Sequence, residues 1–388
     1  MTTEESILYI KLCSIKDIGA ITAMRLLKHF GTPQKIFSAT KSELMQVEKI
    51  GEKTANAILQ GKELVDTSKI LDAMNRIGAR YINFKSTDYP ENLQPLPDKP
   101  VGLYCIGECN LSAPAISIVG SRNCTVYGQL IARRFAAAFA QAGYTVISGM
   151  ARGIDSMAHL GALEAGGKTI AVLGSGVDVV YPPENMDLYK KIIAQGAVIS
   201  EFPMGTRADR QNFPIRNRIV AGMSVATLVV ESDIKGGSMI TARVAAEYGR
   251  DVFAIPGRID SALSRGCNAL IRDGAILASS PQDIIEALNF AKPVQMTLFD
   301  SPSAKTKICE TQQTLTSIQE EKSQQPKQNL SPDELALFQI ISREKIVHID
   351  TLCELSKIEM KRCIPTLLML EIKRLICKDA GGNYSLKN

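Results

Sequence analysis

The chain has 388 residues, 45% of them hydrophobic, enough for one large core with one or two smaller domains beside it. A formal net charge of +5 is mild for this length and only 5% of residues are aromatic, which excludes an evenly basic coat and argues against a surface built mainly for base stacking. Nine scattered cysteines lack any paired C-x-x-C spacing, arguing against disulfides and zinc, and no apolar run approaches the ~18 residues of a membrane span, so a cytoplasmic protein without membrane contact is expected.

Residues 1–86 read as a small all-α domain. Within it Ile18-Gly19-Ala20-Ile21-Thr22-Ala23 is echoed by Ile50-Gly51-Glu52-Lys53-Thr54-Ala55, each followed by an apolar helical stretch. A glycine at such a turn leaves backbone N–H groups free at the start of the next helix, where a phosphate can sit. The pattern resembles a tandem helix-hairpin-helix; an ordinary helical hairpin with glycine turns reads equally well.

Residues 87–290 read as the large domain. It opens on a rigid connector, residues 87–100, rich in proline and polar residues. Short β-branched or apolar runs then predict strands at Ile116 to Val119, Tyr144 to Ile147, Thr169 to Leu173, Ala197 to Ser200, Val225 to Val230 and Asp251 to Ile255. Helical stretches such as Gly128 to Gln141 and Met239 to Tyr248 separate them. Regular alternation of this kind predicts an α/β fold with a doubly wound, mostly parallel sheet.

Residues 291–330 carry Pro, Ser, Thr, Gln, Lys and Glu in quantity and read as a flexible linker. Residues 331–388 then give helix, short helix, helix and two short strands around Gly381-Gly382-Asn383, a layout that resembles a winged helix. Leu335, Phe338 and Ile341 make its first apolar stripe, with Leu352, Leu355, Leu367, Leu368 and Leu370 completing a small core. Pro365 falls inside the expected recognition helix, which is therefore kinked there or begins later.

Several chemistries fail on spacing. Gly167-Lys168-Thr169 looks like the end of a P-loop, but Ala162 stands where the motif needs glycine and the segment runs into a strand. Gly174-Ser175-Gly176 lacks the third glycine of a dinucleotide fingerprint. Only His29, His159 and His348 could act as imidazole bases, and His159 reads as a helix-packing residue because no Ser or Cys nearby sits in a nucleophile elbow. No catalytic residue, metal site or cofactor is predicted.

What remains is a set of cationic and small residues on turns that follow the strands. Gly120-Ser121-Arg122 follows the first, and the segment from Ser148 through Gly149 and Arg152-Gly153 to Asp155 follows the second. Further on come Arg216-Asn217-Arg218 and Lys235-Gly236-Gly237-Ser238. Arginine offers a planar fork matched to phosphate oxygens, and glycine turns let backbone N–H groups reach the same oxygens. Turns at the carboxyl edge of one parallel sheet would hold several phosphates in series. Arg216 and Arg218 have a second reading, internal pairing with Glu201, Glu231 or Asp233.

These motifs, with Tyr181-Pro182-Pro183-Glu184-Asn185, Phe213-Pro214-Ile215 ahead of Arg216, and Phe253-Ala254-Ile255-Pro256-Gly257, together resemble the DNA-processing protein A (Smf) family over most of the large domain. The resemblance implies an extended Rossmann-like domain that binds single-stranded DNA, a homodimer, and loading of the RecA recombinase onto incoming strands in natural transformation. Carried over by motif, Arg122 would be a main phosphate contact, with Gly120, Ser121, Arg152, Gly153, Arg216, Asn217, Arg218, Gly236 and Ser238 lining the same pocket. Pro183 and Glu184 stand where members often carry a lysine; the nearest lysines are Lys190 and Lys191. Phe213 and Tyr181 are stacking candidates whose simpler reading is core packing. The mixed charges of the winged helix, Lys357, Glu359, Lys361, Arg362 and Glu371, favour protein contact over duplex DNA. Two rival functions stay open: a Rossmann-like nucleotide phosphoribohydrolase, whose carboxylate would have to be Glu247, and a duplex-binding winged-helix regulator.

Overall fold

The computed structural model describes residues 4–290, 331–344, 346–358, 360–373, 375–378 and 383–386. They fall into two units, Met1–Thr297 and Leu298–Asn388. The linker expected at 291–330 and the turn around Gly381-Gly382 lie outside the described residues.

The first unit begins with six helices: α1 (Glu4–Cys13), α2 (Ala20–Phe30), α3 (Pro33–Ser38), α4 (Lys41–Met45), α5 (Glu52–Leu64) and α6 (Thr67–Arg76). The sequence echo is structural, because Gly19 caps α2 and Gly51 caps α5, both in extended backbone and neither with a side-chain bond to the helix. Where a side chain is available it caps, as Thr40 does in a reciprocal box with Glu43.

The six expected strands all form, within one or two residues of the predicted ends. After β1 (Arg80–Asn83) and β2 (Gly102–Gly107) come β3 (Ala115–Val119), β4 (Thr145–Ser148), β5 (Thr169–Val172), β6 (Ala197–Ser200), β7 (Ala226–Val229), β8 (Asp251–Ala254) and β9 (Ile276–Leu277). The helices between and after them are α7 (Val126–Gln141), α8 (Ile154–Glu164), α9 (Met186–Gln195), α10 (Asn212–Met223), α11 (Gly237–Glu247), α12 (Ala262–Arg272) and α13 (Pro281–Phe290). The nine strands form one sheet in the order β1-β2-β6-β5-β4-β3-β7-β8-β9. Every pair from β6 to β9 along that order is parallel, while β2 runs antiparallel to both β6 and β1.

The three strands not foreseen are at or near the edges, and β1 lies within the stretch read as helical. β2 is bounded by glycines and built on Leu103, Tyr104 and Cys105, a composition that signals a strand only once the sheet buries it. The strands β3 to β7 are buried on both faces, which is why they read as unbroken apolar runs. Phe135, Phe139 and Ala158 from α7 and α8 cover one face, and Ile219, Ala242 and Cys267 from α10, α11 and α12 cover the other. A third cluster joins Tyr9, Leu26 and Ile58 of the N-terminal helices to Tyr104, Ile192 and Val198, so those helices pack directly on the sheet's β2–β6 side. Each of the Val, Leu, Ile and Phe side chains among these contributes about 1.5–3 kcal/mol by leaving water.

The proline-rich connector is itself core. Tyr89, Leu93 and Leu96 are buried, and the Tyr89 hydroxyl donates to the Pro100 carbonyl at 2.7 Å. No helix among the described residues is long and apolar enough to cross a membrane.

The second unit contains α14 (Pro332–Glu344), α15 (Ile349–Ser356) and α16 (Met360–Ile372), with β10 (Ile346–His348), β11 (Ile376–Lys378) and β12 (Asn383–Leu386) in an antiparallel sheet ordered β10-β12-β11. This is the expected winged-helix layout with one further strand. The helix α16 starts at Met360 and runs through Pro365, so it does not begin later than the pattern suggested. Two expected core residues are corrected: Leu335 and Leu355 are exposed, and Leu337 with Ile341 fills the stripe on α14 instead.

Candidate functional site

The sheet order reverses at β3: the chain steps outward from β3 through β4, β5 and β6, then returns to β7 on the other side of β3. The loops after β3 and β7 therefore part at their carboxyl ends and leave a crevice, the place where open α/β sheets take ligands. A cleft of about 670 Å³ occupies it.

Its first wall is the turn Gly120-Ser121-Arg122. The Ser121 amide donates to the Glu231 carbonyl at 2.7 Å, while the Glu231 carboxylate accepts from the Thr125 amide and hydroxyl at 2.8 and 2.5 Å. Thr125 in turn caps α7, so one buried glutamate ties this turn to both a helix start and the β7 loop. Gly153 has φ +75°, and a Cβ there would lie 2.4 Å from the Ser121 carbonyl oxygen. Glycine is required for that close approach. The opposite wall is the Ser232 to Ser238 loop, where the Ser238 hydroxyl donates to Ser232 Oγ at 2.8 Å. Helix α11 starts behind Gly236 with no side-chain cap; the Met239 amide turns back to the Gly236 carbonyl, while those of Gly237 and Ser238 find no acceptor among the described residues and can meet an anion.

Arg216 forms the floor. It is buried, and its Nη1 donates to the carbonyls of Gly149, at 2.7 Å, and Val172, at the ends of β4 and β5. Burial lowers this guanidinium to about 10, opposed by the facing Asp155 carboxylate. Asp155 accepts from the amides of Gly149 and Ala151 at 3.2 and 3.4 Å; burial raises its carboxyl, and Arg216 pulls it back. A Cβ on Gly149 would sit 2.4 Å from the Arg216 guanidinium, so that glycine exists to admit the arginine. His159 lies beneath, its Nδ1 2.7 Å from Thr169 Oγ1. Because the Thr169 hydroxyl donates to the Val146 carbonyl, His159 donates through Nδ1–H, and burial holds its imidazole down at about 3. It is the neutral packing histidine that the sequence indicated.

The mouth is cationic and aromatic. Arg122 is exposed, pairs with no carboxylate among the described residues, and stands over the Phe213 ring at 4.8 Å from its centroid. Tyr181 meets Phe213 with ring centroids 5.6 Å apart. Neither is core, contrary to the simpler expectation: Tyr181 is 42% exposed and both line the cleft. Arg210, from the polar loop before α10, is a second exposed cation at the mouth, and Asn123 and Thr241 add polar groups. Arg210 was not foreseen because its loop does not follow a strand with a Gly-Ser-Arg type of turn, whereas Asn123 and Thr241 flank turns that the sequence did single out.

Of the predicted residues, the cleft brings together Gly120, Ser121, Arg122, Gly149, Arg216, Asn217, Gly236 and Ser238. Four do not line it. Gly153 acts from behind as described. Arg152 is exposed and held by Glu184. Lys235 is exposed on the loop before α11 and outside the lining. Arg218 points to the other side of α10, where it pairs with Glu201, its second reading. Arg216 and Arg218 are two residues apart on a helix, roughly 200° around its axis, and cannot share one pocket. Arg216 pairs with none of the three carboxylates first considered for it; carbonyls and Asp155 take their place. Glu247 lies outside the cleft, whose carboxylates are Asp155 and Asp233, the latter paired with Arg265 at 3.2 Å. Asn185 braces the site, donating to the Met150 carbonyl at 2.8 Å and to Ser156 Oγ at 2.9 Å. Lys190 and Lys191 are exposed on α9, outside the lining.

Comparison with known proteins agrees with this architecture. Residues 80–289 match the family profile described as DNA recombination-mediator protein A, residues 9–61 a SAM-like helix-hairpin-helix tandem, and residues 321–382 a DprA winged helix domain. Protein Smf of Synechocystis is 35% identical over 293 residues, covering 74% of each chain. The DNA processing protein DprA of Streptococcus pneumoniae is 37% identical over 268 residues, 65% of this chain and 94% of that one. The X-ray structure of the pneumococcal protein superposes with a TM-score of 0.65 at 31% identity, over 74% of this chain and 98% of that one. A structure concerning the single-stranded DNA binding mode of DNA processing protein A from Helicobacter pylori matches at TM-score 0.50 and 29% identity, over 55% of this chain and 96% of that one.

Proposed function

Since the chain belongs to the DNA recombination-mediator protein A family, we propose that its cleft binds single-stranded DNA and that the protein protects incoming strands and loads a RecA-type recombinase onto them during natural transformation. On this reading it works in the cytoplasm as a homodimer and as a binder, not a catalyst. The observation that carries the proposal is the cleft at the sheet's switch point. Arg122 and Arg210, uncommitted to any described carboxylate, stand beside the uncapped start of α11 and the Tyr181–Phe213 pair. Cations and amides hold phosphate whatever the sequence, and ring faces stack on any base. The phosphoribohydrolase alternative loses its carboxylate, because Glu247 is outside the cleft and both acidic residues within it are engaged.

The test is fluorescence anisotropy of labelled oligothymidine and of a matched duplex over a range of salt. Preference for the single strand is expected, with log affinity falling against log salt by about 0.7 per phosphate contact. Arg122→Ala should weaken binding roughly tenfold, or ~1.4 kcal/mol, without changing thermal stability. Absence of single-strand binding at low salt, or normal affinity in the variant, rejects the site. RecA loading is tested separately, by strand-exchange assays in which the recombinase must displace a single-strand binding protein.

A further inference from the structure

We propose that the strand leaves the cleft across α10 and continues into a second groove formed with the N-terminal helices. This inference rests on the single-strand reading of the cleft and extends it to a second contact.

The groove, about 1360 Å³, lies between α2, the Pro95–Lys99 segment, α10 and the end of α11. Pro214 lines both this groove and the cleft, so α10 is the ridge between them. The Arg-Asn-Arg spacing that sends Arg216 to one side of the ridge sends Arg218 to the other. Six cations line the groove, Arg25, Lys28, Lys85, Lys99, Arg218 and Arg250, against two carboxylates, Asp98 and Glu247.

Most of these cations serve the fold. Arg218 pairs with Glu201 and lies 3.9 Å from Asp98, Lys85 reaches Glu5 at 3.5 Å, and Lys99 donates to the Gln94 carbonyl at 2.6 Å. Arg250 donates to the Asn92 carbonyl at 3.1 Å, but its buried Nε finds no acceptor among the described residues. Arg25 and Lys28 make no ion pair with any described carboxylate. They stand three residues apart on α2, hence on one face, beside Ile21 and Met24. A groove with apolar walls and surplus positive charge suits a ligand that alternates phosphate with flat base faces. Continuity with the cleft through Pro214 makes that ligand the same strand.

The experiment is anisotropy of the full chain with oligothymidines of about 4 and about 16 nucleotides, the span of site sizes known for single-strand grooves. The wild type should bind the longer one more tightly. Arg25→Glu with Lys28→Glu should lose about tenfold on the long oligonucleotide, with a salt slope shallower by ~1.4 for two lost contacts, and nothing on the short one. Lys28→Glu alone, at an exposed position, should show a smaller loss of the same kind and guards against misfolding of the double variant. Equal losses on both lengths, or no loss on the long one, overturn the inference and leave the groove to another partner, such as an acidic peptide. If the wild type binds the short oligonucleotide but gains nothing from length, only this inference fails; if it binds neither, the reading of the cleft fails too.

Discussion

The two sides of α10 both present arginine, and they use it in different ways. In the cleft the buried Arg216 ties the ends of β4 and β5 together while Arg122 and Arg210, at the mouth, pair with no described carboxylate. In the groove Arg218 is held by Glu201, and the cations that pair with no described carboxylate come instead from α2, some 190 residues earlier in the chain. Counting basic residues in a motif therefore overstates its capacity for phosphate. What matters is how many guanidinium groups the fold leaves unspent.

The largest expected effect breaks the cleft alone. Arg216→Ala should cost about 3–5 kcal/mol in urea denaturation, because it leaves Asp155 without its counter-charge and two buried carbonyls without a donor. A loss below ~1 kcal/mol would mean the floor does not depend on it. The next effect is a pH dependence. His159 is held neutral, about 3 in the folded protein against about 6.5 unfolded, so the unfolded chain binds the extra proton. Stability should be level above pH ~6.5 and fall as pH drops from there toward 3, by a few kcal/mol, with His159→Gln flattening the slope. An unchanged slope in that variant would show that other groups set the acid limb. A protonated His159 would also place a second buried charge beside Arg216, which groove variants would not feel.

Smaller effects sharpen the contrast without harming the fold. Phe213→Leu keeps bulk but removes the ring under Arg122, and should weaken oligothymidine binding by about 1–3 kcal/mol, with little change in salt slope. A changed slope with unchanged low-salt affinity would make Phe213 a support for Arg122 and not a stacking partner. The smallest effect is release of Arg152: Glu184→Gln should raise affinity only slightly, because exposed ion pairs are weak, and steepen the salt slope slightly. If affinity falls, Glu184 is positioning Arg152 for the strand and not withholding it.

Much of this was legible in the chain. The strands β3 to β7 are buried on both faces, so unbroken apolar runs betray them regardless of neighbours. Gly120, Gly149, Gly153 and Gly236 mark turns whose crowding only glycine tolerates, as the short Cβ approaches at each confirm. The doubly wound class followed from alternation alone, and the paired Gly19 and Gly51 turns announced two helices with matching starts.

The sequence by itself determined that the glycine-rich turns gather at the sheet's carboxyl edge, because strand-turn-helix order and the hand of parallel crossovers leave little choice. Only the tertiary structure decided what each of them does there. Arg216 and Arg218 are neighbours in the chain but face opposite sides of a helix, Arg152 is claimed by a glutamate 32 residues away, and Phe213 and Tyr181 meet across a cleft. Burial and charge pairing depend on groups distant in sequence, and no local pattern encodes which of them arrives first.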